Sequence, residues 1–211
     1  NGVNSRVQLP NIATLKPTDA LTVSLWHKLD EVPTAQMFLF NAARDVSAGY
    51  MLYYNSSTTL NAKILCSNGT SSCTYISTVG IWEHLVITYD AVNGGGLWVN
   101  GVKVGTLPAE GAIVYSAYYP GAPSIGSHGY GEYGYYYRGC IDEVRIYNRV
   151  LTPLEISALY TIKSNPSYIA PQRSPKYLGT TTANPPDTTT FSSERIPGDW
   201  CLSTAAKQFY R

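Results

Sequence analysis

The segment GLWVNGVKVGTL, residues 96–107, constrains the architecture more than any other stretch of this 211-residue chain. Asn100-Gly101 stands between two apolar, strand-like runs, and both residues tolerate the positive φ that a two-residue hairpin turn demands. The pair therefore predicts two antiparallel strands in tight register. Similar short runs recur between turn residues: LTVSLWHKL (21–29), MFLFNA (37–42), GYMLYYN (49–55), LNAKILC (60–66), HLVITYD (84–90) and CIDEVRIYN (140–148). In the first of these, Leu21, Val23 and Leu25 alternate onto one face. Many short strands with regular turns predict an all-β sandwich of two antiparallel sheets.

One helix closes this region. In TPLEISALY (152–160), Thr152 is placed to cap, Pro153 takes the first helical position and Glu155 completes a capping box. Leu154, Ala158 and Leu159 are expected to face the sheet. Beyond residue 161 the periodicity is lost and Pro, Ser and Thr dominate. The chain thus divides into a domain at 1–160 and an extended tail at 161–211. Trp200-Cys201 and Phe209-Tyr210 are expected to help dock that tail on its own or a neighbouring subunit.

Charged residues make up only 14% of the chain and the net charge is +1, which gives no electrostatic footprint for nucleic acid. No apolar run approaches the ~18 residues of a membrane span. Tyrosine is in excess, 18 copies against four phenylalanines, which points to aromatic area whose hydroxyl meets water, sugar or a partner. HGYGEYGYYYRG (128–139) concentrates it. Tyr130, Tyr133, Tyr135, Tyr136 and Tyr137, with Trp200, are the candidates for a protein interface or a glycan contact, and Glu132 and Arg138 are the polar groups among them.

Cys66 and Cys73 flank a polar loop, CSNGTSSC, and are expected to pair locally. Cys140 and Cys201 are then left for each other, within a chain or between chains. Asn55-Ser56-Ser57 and Asn68-Gly69-Thr70 are N-glycosylation sequons in polar loops, with Asn55 and Asn68 as acceptors. An even cysteine count, low charge and Ser/Thr richness together favour an oxidising setting, extracellular or at a cell surface.

Three segments resemble the laminin-G-like, concanavalin A-like jelly-roll family. NGVNSRVQLPN (1–11) is similar to its first recognisable strand, WEHLVITYDAVNGGGLWVNGVKVG (82–105) to its central strands and hairpin, and GCIDEVRIYNRVLTPLEISALY (139–160) to its closing strand and helix. The resemblance implies a jelly roll over residues 1–160. Family members usually carry some tens of residues before the first segment, including a strand near the closing one. The resemblance therefore implies a strand that was cleaved away or is supplied from elsewhere, and an unpaired edge that the tail of another copy could fill. Such pairing is head-to-tail and builds a filament. Relatives often bind calcium at the rim, yet Asn4-Ser5 replaces an aspartate-bearing motif here. Asp45, Asp90 and Asp142 are scattered, so no metal or other cofactor is expected.

Glucanase relatives need carboxylates spaced E-x-D-x-x-E on one strand. The nearest match is Asp142-Glu143, and adjacent strand residues point to opposite faces. Asp142 is expected to fix backbone or loop and Glu143 to be solvated. His27, His84 and His128 lack zinc-ligand spacing, and no G-x-S-x-G elbow is present. The resemblance gives His84 a packing role. These residues describe a chain that is not an enzyme. The first functional expectation is a structural subunit of an extracellular filament or surface appendage, partnered by copies of itself through strand edges and tyrosines. The alternative is a carbohydrate-binding or adhesion module of a larger surface protein, partnered by glycans.

Overall fold

The alternation of inward and outward side chains resolves into two antiparallel sheets packed face to face, in a computed structural model that describes residues 5–42, 48–115, 122–128, 135–164 and 200–202. In chain order the strands are β1 (Val7–Gln8), β2 (Ala20–Leu29), β3 (Met37–Asn41), β4 (Tyr50–Tyr54), β5 (Thr59–Cys66), β6 (Gly69–Ile76), β7 (Trp82–Asp90), β8 (Gly94–Val99), β9 (Val102–Leu107), β10 (Ser124–Ile125) and β11 (Gly139–Tyr147). The helix α1 (Pro153–Ser164) and a short β12 (Trp200–Leu202) follow. The first sheet has the order β1-β10-β3-β4-β5-β6 and the second β12-β11-β2-β7-β8-β9. Fold class and architecture are those expected from the sequence.

Between the sheets lies one core. Leu21, Val23 and Leu25 of β2 and Leu85 and Ile87 of β7 meet Leu52, Leu60 and Ile64 of the opposite sheet, all fully buried. Each such side chain contributes about 1.5–3 kcal/mol on burial. The hairpin at Asn100-Gly101 forms as predicted, with φ of 51° and 80°. Its turn is tied to β7, because the Asn100 side-chain carbonyl accepts the His84 backbone N–H at 2.9 Å.

β6 is a departure. CSNGTSSC reads as a loop, but Ser67-Asn68 is a two-residue turn and the rest begins an edge strand that pairs back on β5 from Gly69 to Ile76. Ser and Thr serve its exposed, outward positions, so the hydrophobic pattern is too weak to mark it. The register also overturns the expected Cys66–Cys73 bond. Cys66 lies opposite Gly69 and Cys73 opposite Ala62, four residues along the ladder and about 13 Å apart at ~3.3 Å per residue. A disulfide needs Cα atoms within about 7 Å. Instead Cys66 is buried and donates its thiol to the Tyr89 hydroxyl at 3.0 Å. Burial pushes the Cys73 thiol up to about 11.

Thr152 caps α1 as expected: its backbone N–H donates to the Glu155 carboxylate at 2.8 Å, and its hydroxyl accepts the Glu155 N–H at 3.3 Å. Bonds from Arg149 and Thr152 hold the Glu155 carboxyl down to about 2. The buried face differs from the expected one. Leu154 and Ala158 are exposed, while Ile156 is fully buried and packs with Val86, Tyr147 and Leu151, with Leu159 alongside. Chain entry from the buried Leu151 rotates the helix, so positions 156, 159 and 160 carry the contact rather than 154 and 158. Tyr160 lies over His84 and Trp26, at ring separations of 6.2 and 5.8 Å. His84 is buried beneath it with Nε2 at 2.9 Å from the Ser24 hydroxyl.

A bulge breaks β11 between Asp142 and Arg145. Glu143 takes φ 51° there, and the Asp142 carboxylate accepts its N–H at 2.9 Å. Asp142 fixes backbone, as expected. Glu143 is not solvated, because it is mostly buried and ion-paired to Arg145 at 2.7 Å. Past the bulge, β12 of the same chain pairs with β11, Cys201 standing opposite Arg145. The expected bond between Cys140 and Cys201 within one chain is thereby overturned, since Cys140 pairs with Lys28 at the far end of β11. The edge assigned to a neighbour's tail is also filled in cis. The rest of the proposed tail, 165–199 and 203–211, lies outside the described residues.

Two outcomes test this packing. Burial, with the Arg145 charge adding to it, lowers the His84 pKa to about 4 from the ordinary 6.5. The unfolded chain therefore takes up a proton that the native state refuses. Stability should be complete above pH 6.5 and fall as pH approaches 4, by up to ~3 kcal/mol. Urea unfolding across that range should show the slope, and H84Q should flatten it. For the cysteines, alkylation of the native protein read by mass spectrometry should modify the exposed Cys140 first. Cys66 should react only on unfolding, and no Cys66–Cys73 cross-linked peptide should be found.

Candidate functional site

Strand register decides what the outer face of the first sheet presents. Phe38, Tyr53, Asn61 and Thr74 form one cross-strand row over β3, β4, β5 and β6; Asn41, Met51, Lys63 and Ser72 form the next. Neighbouring strands lie about 4.8 Å apart, so each row is a line of adjacent side chains. The face grades in character along these rows. Phe38 and Met51 are buried, Tyr53, Asn61 and Lys63 are half-buried, and Ser72 and Thr74 are exposed.

The apolar end is covered by the tyrosine-rich segment. Tyr135 and His128 pack on Phe38 at ring separations of 6.2 and 4.9 Å, His128 edge-on. Tyr53 stacks on the same Phe38 ring at 5.3 Å and 24°. Phe38 also donates its backbone N–H to the Tyr135 carbonyl at 3.4 Å, and Tyr136 makes a bridge to Phe38. Tyr53 therefore sits at the border, one ring face on Phe38 and its backbone paired with Asn61 on the next strand. The Asn61 amide nitrogen donates to the carbonyls of Tyr53 and Thr59 at 3.4 and 3.1 Å, which fixes its plane and leaves its oxygen as an acceptor. Aromatic area beside an oriented amide, an amine and two hydroxyls is chemistry suited to a polyhydroxylated ligand.

The tyrosine candidates separate. Tyr135 is half-buried with its ring on this face, and Tyr136 is half-buried with its backbone bridged to Phe38. Tyr137 is a core residue, 4% exposed, and cannot touch a partner or glycan. Its neighbour in space, Gly139, makes room: a Cβ there would lie 2.1 Å from the Lys28 carbonyl and 2.8 Å from the Tyr137 ring. Tyr130 and Tyr133 lie outside the described residues, and Trp200 enters only through the backbone pairing of β12 with Ile146. Asn55 and Asn68 are both exposed at turns; Asn55 accepts from Gln36 at 3.4 Å. Tyr53, Asn61 and Lys63 were not singled out from sequence. Their signal was alternation, since Tyr50, Leu52 and Tyr54 point inward, but nothing local ties them to a loop some eighty residues later.

Below the segment a buried polar network joins both sheets. The Tyr137 hydroxyl lies 2.9 Å from His27 Nδ1, and His27 Nε2 faces the Glu83 carboxylate at 3.3 Å. Tyr75 donates to the other Glu83 oxygen at 2.9 Å, and the Tyr54 hydroxyl donates to Ser77 at 2.7 Å. Burial opposes the Glu83 charge, but the adjacent His27, Tyr75 and Ser77 side chains outweigh it and hold its carboxyl below the usual range. Burial pushes the Tyr137 hydroxyl far up, so it stays protonated and can donate. Among the described residues no three His, Cys, Asp or Glu side chains are grouped to hold a metal ion. Nor is any described helix long and apolar enough to cross a membrane.

None of the curated proteins matches the chain. Among solved structures, it is similar to a botulinum neurotoxin type C, which depends on interaction with two ganglioside molecules to enter cells (10% identity, TM-score 0.56, covering 74% of this chain and 39% of that one). It is also similar to a Trypanosoma rangeli sialidase in complex with a difluoro-KDN (19%, TM-score 0.55, 77% and 27%). A third likeness is to a candidate carbohydrate-binding protein from Bacteroides ovatus (17%, TM-score 0.53, 66% and 40%). At these identities the likeness is one of fold, and the chain spans well under half the length of each. The family model described as the concanavalin A-like lectin/glucanases superfamily, of laminin-G type, matches residues 1–157. With that match over most of its length, the chain belongs to the concanavalin A-like lectin/glucanase superfamily.

Proposed function

We propose that this chain is a non-catalytic carbohydrate-binding module of an extracellular or cell-surface protein, taking a glycan across the outer face of the first sheet. The observation that carries this reading is the row Tyr53–Asn61–Thr74, bordered by Tyr135 and Tyr136. Tyr53 supplies a ring for the apolar face of a sugar, and Asn61, Thr74 and Ser72 supply partners for its hydroxyls. Lys63 adds a donor in the next row. Carbohydrate-associated proteins among the fold relatives support the same reading. Asp142 and Glu143 are engaged in a backbone bond and an ion pair, which supports a binding rather than a hydrolytic role. Asn55 and Asn68, exposed at turns, are accessible as N-glycan acceptors if the chain is exported. A filament of like subunits loses its main motive, because β12 of the same chain occupies the β11 edge.

A broad glycan array tests this directly. The wild-type protein should bind a defined set of glycans. Y53A and N61A should each weaken that binding about tenfold or more, roughly 1.4 kcal/mol, with an unchanged melting profile for N61A. A wild type that binds no glycan would sink the module reading. Variants that bind like wild type would move the site off this face.

A further inference from the structure

We infer that His27 and Glu83 are positioning residues for the outer face of the first sheet, acting through the Tyr137 hydroxyl to hold Tyr135 and Tyr136 in place. The role of that face in glycan contact rests on the function proposed above; the clamp itself does not.

Consider what anchors the tyrosine-rich segment. Its described part from Tyr135 to Arg138 crosses from the outside of the first sheet to the start of β11 in the second, and has few regular ladder bonds of its own. Three backbone bonds locate it: Phe38 N–H to the Tyr135 carbonyl at 3.4 Å, Tyr137 N–H to the Gly126 carbonyl at 2.8 Å, and Asp30 N–H to the Arg138 carbonyl at 3.2 Å. Tyr137 sends its side chain inward. Its ring stacks on Tyr54 at 6.4 Å and 21°, and it reaches the interior because Gly139 leaves the space.

A tyrosine hydroxyl carried that deep costs free energy unless it finds a partner. His27, fully buried, supplies it. With the Tyr137 O–H donating to Nδ1, the ring proton of His27 sits on Nε2, towards Glu83. At 3.3 Å, and outside hydrogen-bond geometry, the carboxylate favours by its charge the tautomer that accepts from Tyr137. Glu83 is itself held by Tyr75 and by the Thr78 backbone N–H at 3.4 Å. The chain of contacts runs from β6 and the following loop, through β7 and β2, to the tyrosine segment. Tyr135 and Tyr136, immediately before the anchored residue, have little freedom to leave Phe38.

The test uses the full chain and two readouts. In hydrogen exchange, Y137F, which keeps the ring but removes the donor, should accelerate the Phe38 and Tyr137 amides at least tenfold. Amides of Leu97 and Trp98 in β8 should keep wild-type rates. E83L should reproduce that local pattern, and E83Q, which keeps one oxygen acceptor for Tyr75 and Thr78, should restore part of the protection. S24A, which removes the hydroxyl beside His84 on the other side of the second sheet, should leave the segment unchanged. Acceleration spread evenly through β8 would overturn the clamp in favour of a general stability role, and unchanged Phe38 and Tyr137 exchange would overturn it outright. On the glycan bound best by the wild type, Y137F should lose at least threefold in affinity, and undiminished affinity would overturn the link from clamp to face. A wild type that binds no glycan overturns the carbohydrate reading, while exchange still decides the clamp.

Discussion

Nine consecutive pairings between β2 and β7, from Ala20–Asp90 to Lys28–Trp82, set the frame on which everything else depends. Because strand side chains alternate strictly, this one register assigns every residue of both strands to the core or to the outside. Leu21, Val23, Leu25 and His27 go inward beside Leu85, Ile87 and Glu83. Ser24 and Trp26 go outward beside Val86 and His84, where α1 covers them. A slip of one residue would bury Trp26 and expel the His27–Glu83 pair. The apolar core, the helix seat and the buried polar network are therefore one decision.

The tyrosine excess has a structural explanation that composition did not suggest. Tyr50 donates to the Leu15 carbonyl, Tyr89 to that of Gly111 and Tyr115 to that of Pro17, at 2.8–2.9 Å. Tyr137 and Tyr54 meet side chains instead, the His27 ring nitrogen and the Ser77 hydroxyl. Each ring fills core volume as phenylalanine would, and each hydroxyl ties down a connecting segment. In a sandwich with long connections, such a bond removes loop freedom and satisfies a polar group together. Among the described tyrosines, Tyr53 and Tyr135 instead pack on Phe38 at the outer face of the first sheet.

That face and the covered face of the second sheet divide the work. The second sheet spends its outer surface on α1 and on the Trp26–His84–Tyr160 stack. Among the described residues the first sheet is covered at its Phe38 end, so Tyr53, Asn61 and Thr74 lie along a row that runs from packed aromatic to exposed polar surface. A border of this kind, rigid on one side and wet on the other, suits recognition of a ligand that is itself apolar on one face and polar at its rim.

The amino-acid sequence alone determined the features whose cause is local. Asn100-Gly101 dictates its hairpin through the φ values it tolerates, Thr152 and Glu155 dictate the start of α1, and the motifs at 82–105 and 139–160 declare the family. Tertiary structure decided the features whose cause is distant. Cys66 and Cys73 look adjacent across a short loop, yet the β5–β6 register sets them apart. Tyr137 looks like its neighbours in a tyrosine run, yet a histidine 110 residues away draws it inside. Tyr53 looks like core, yet pleating turns it outward. Backbone preferences act over a few residues, whereas register and burial are fixed by contacts across the fold, which no short stretch of sequence contains.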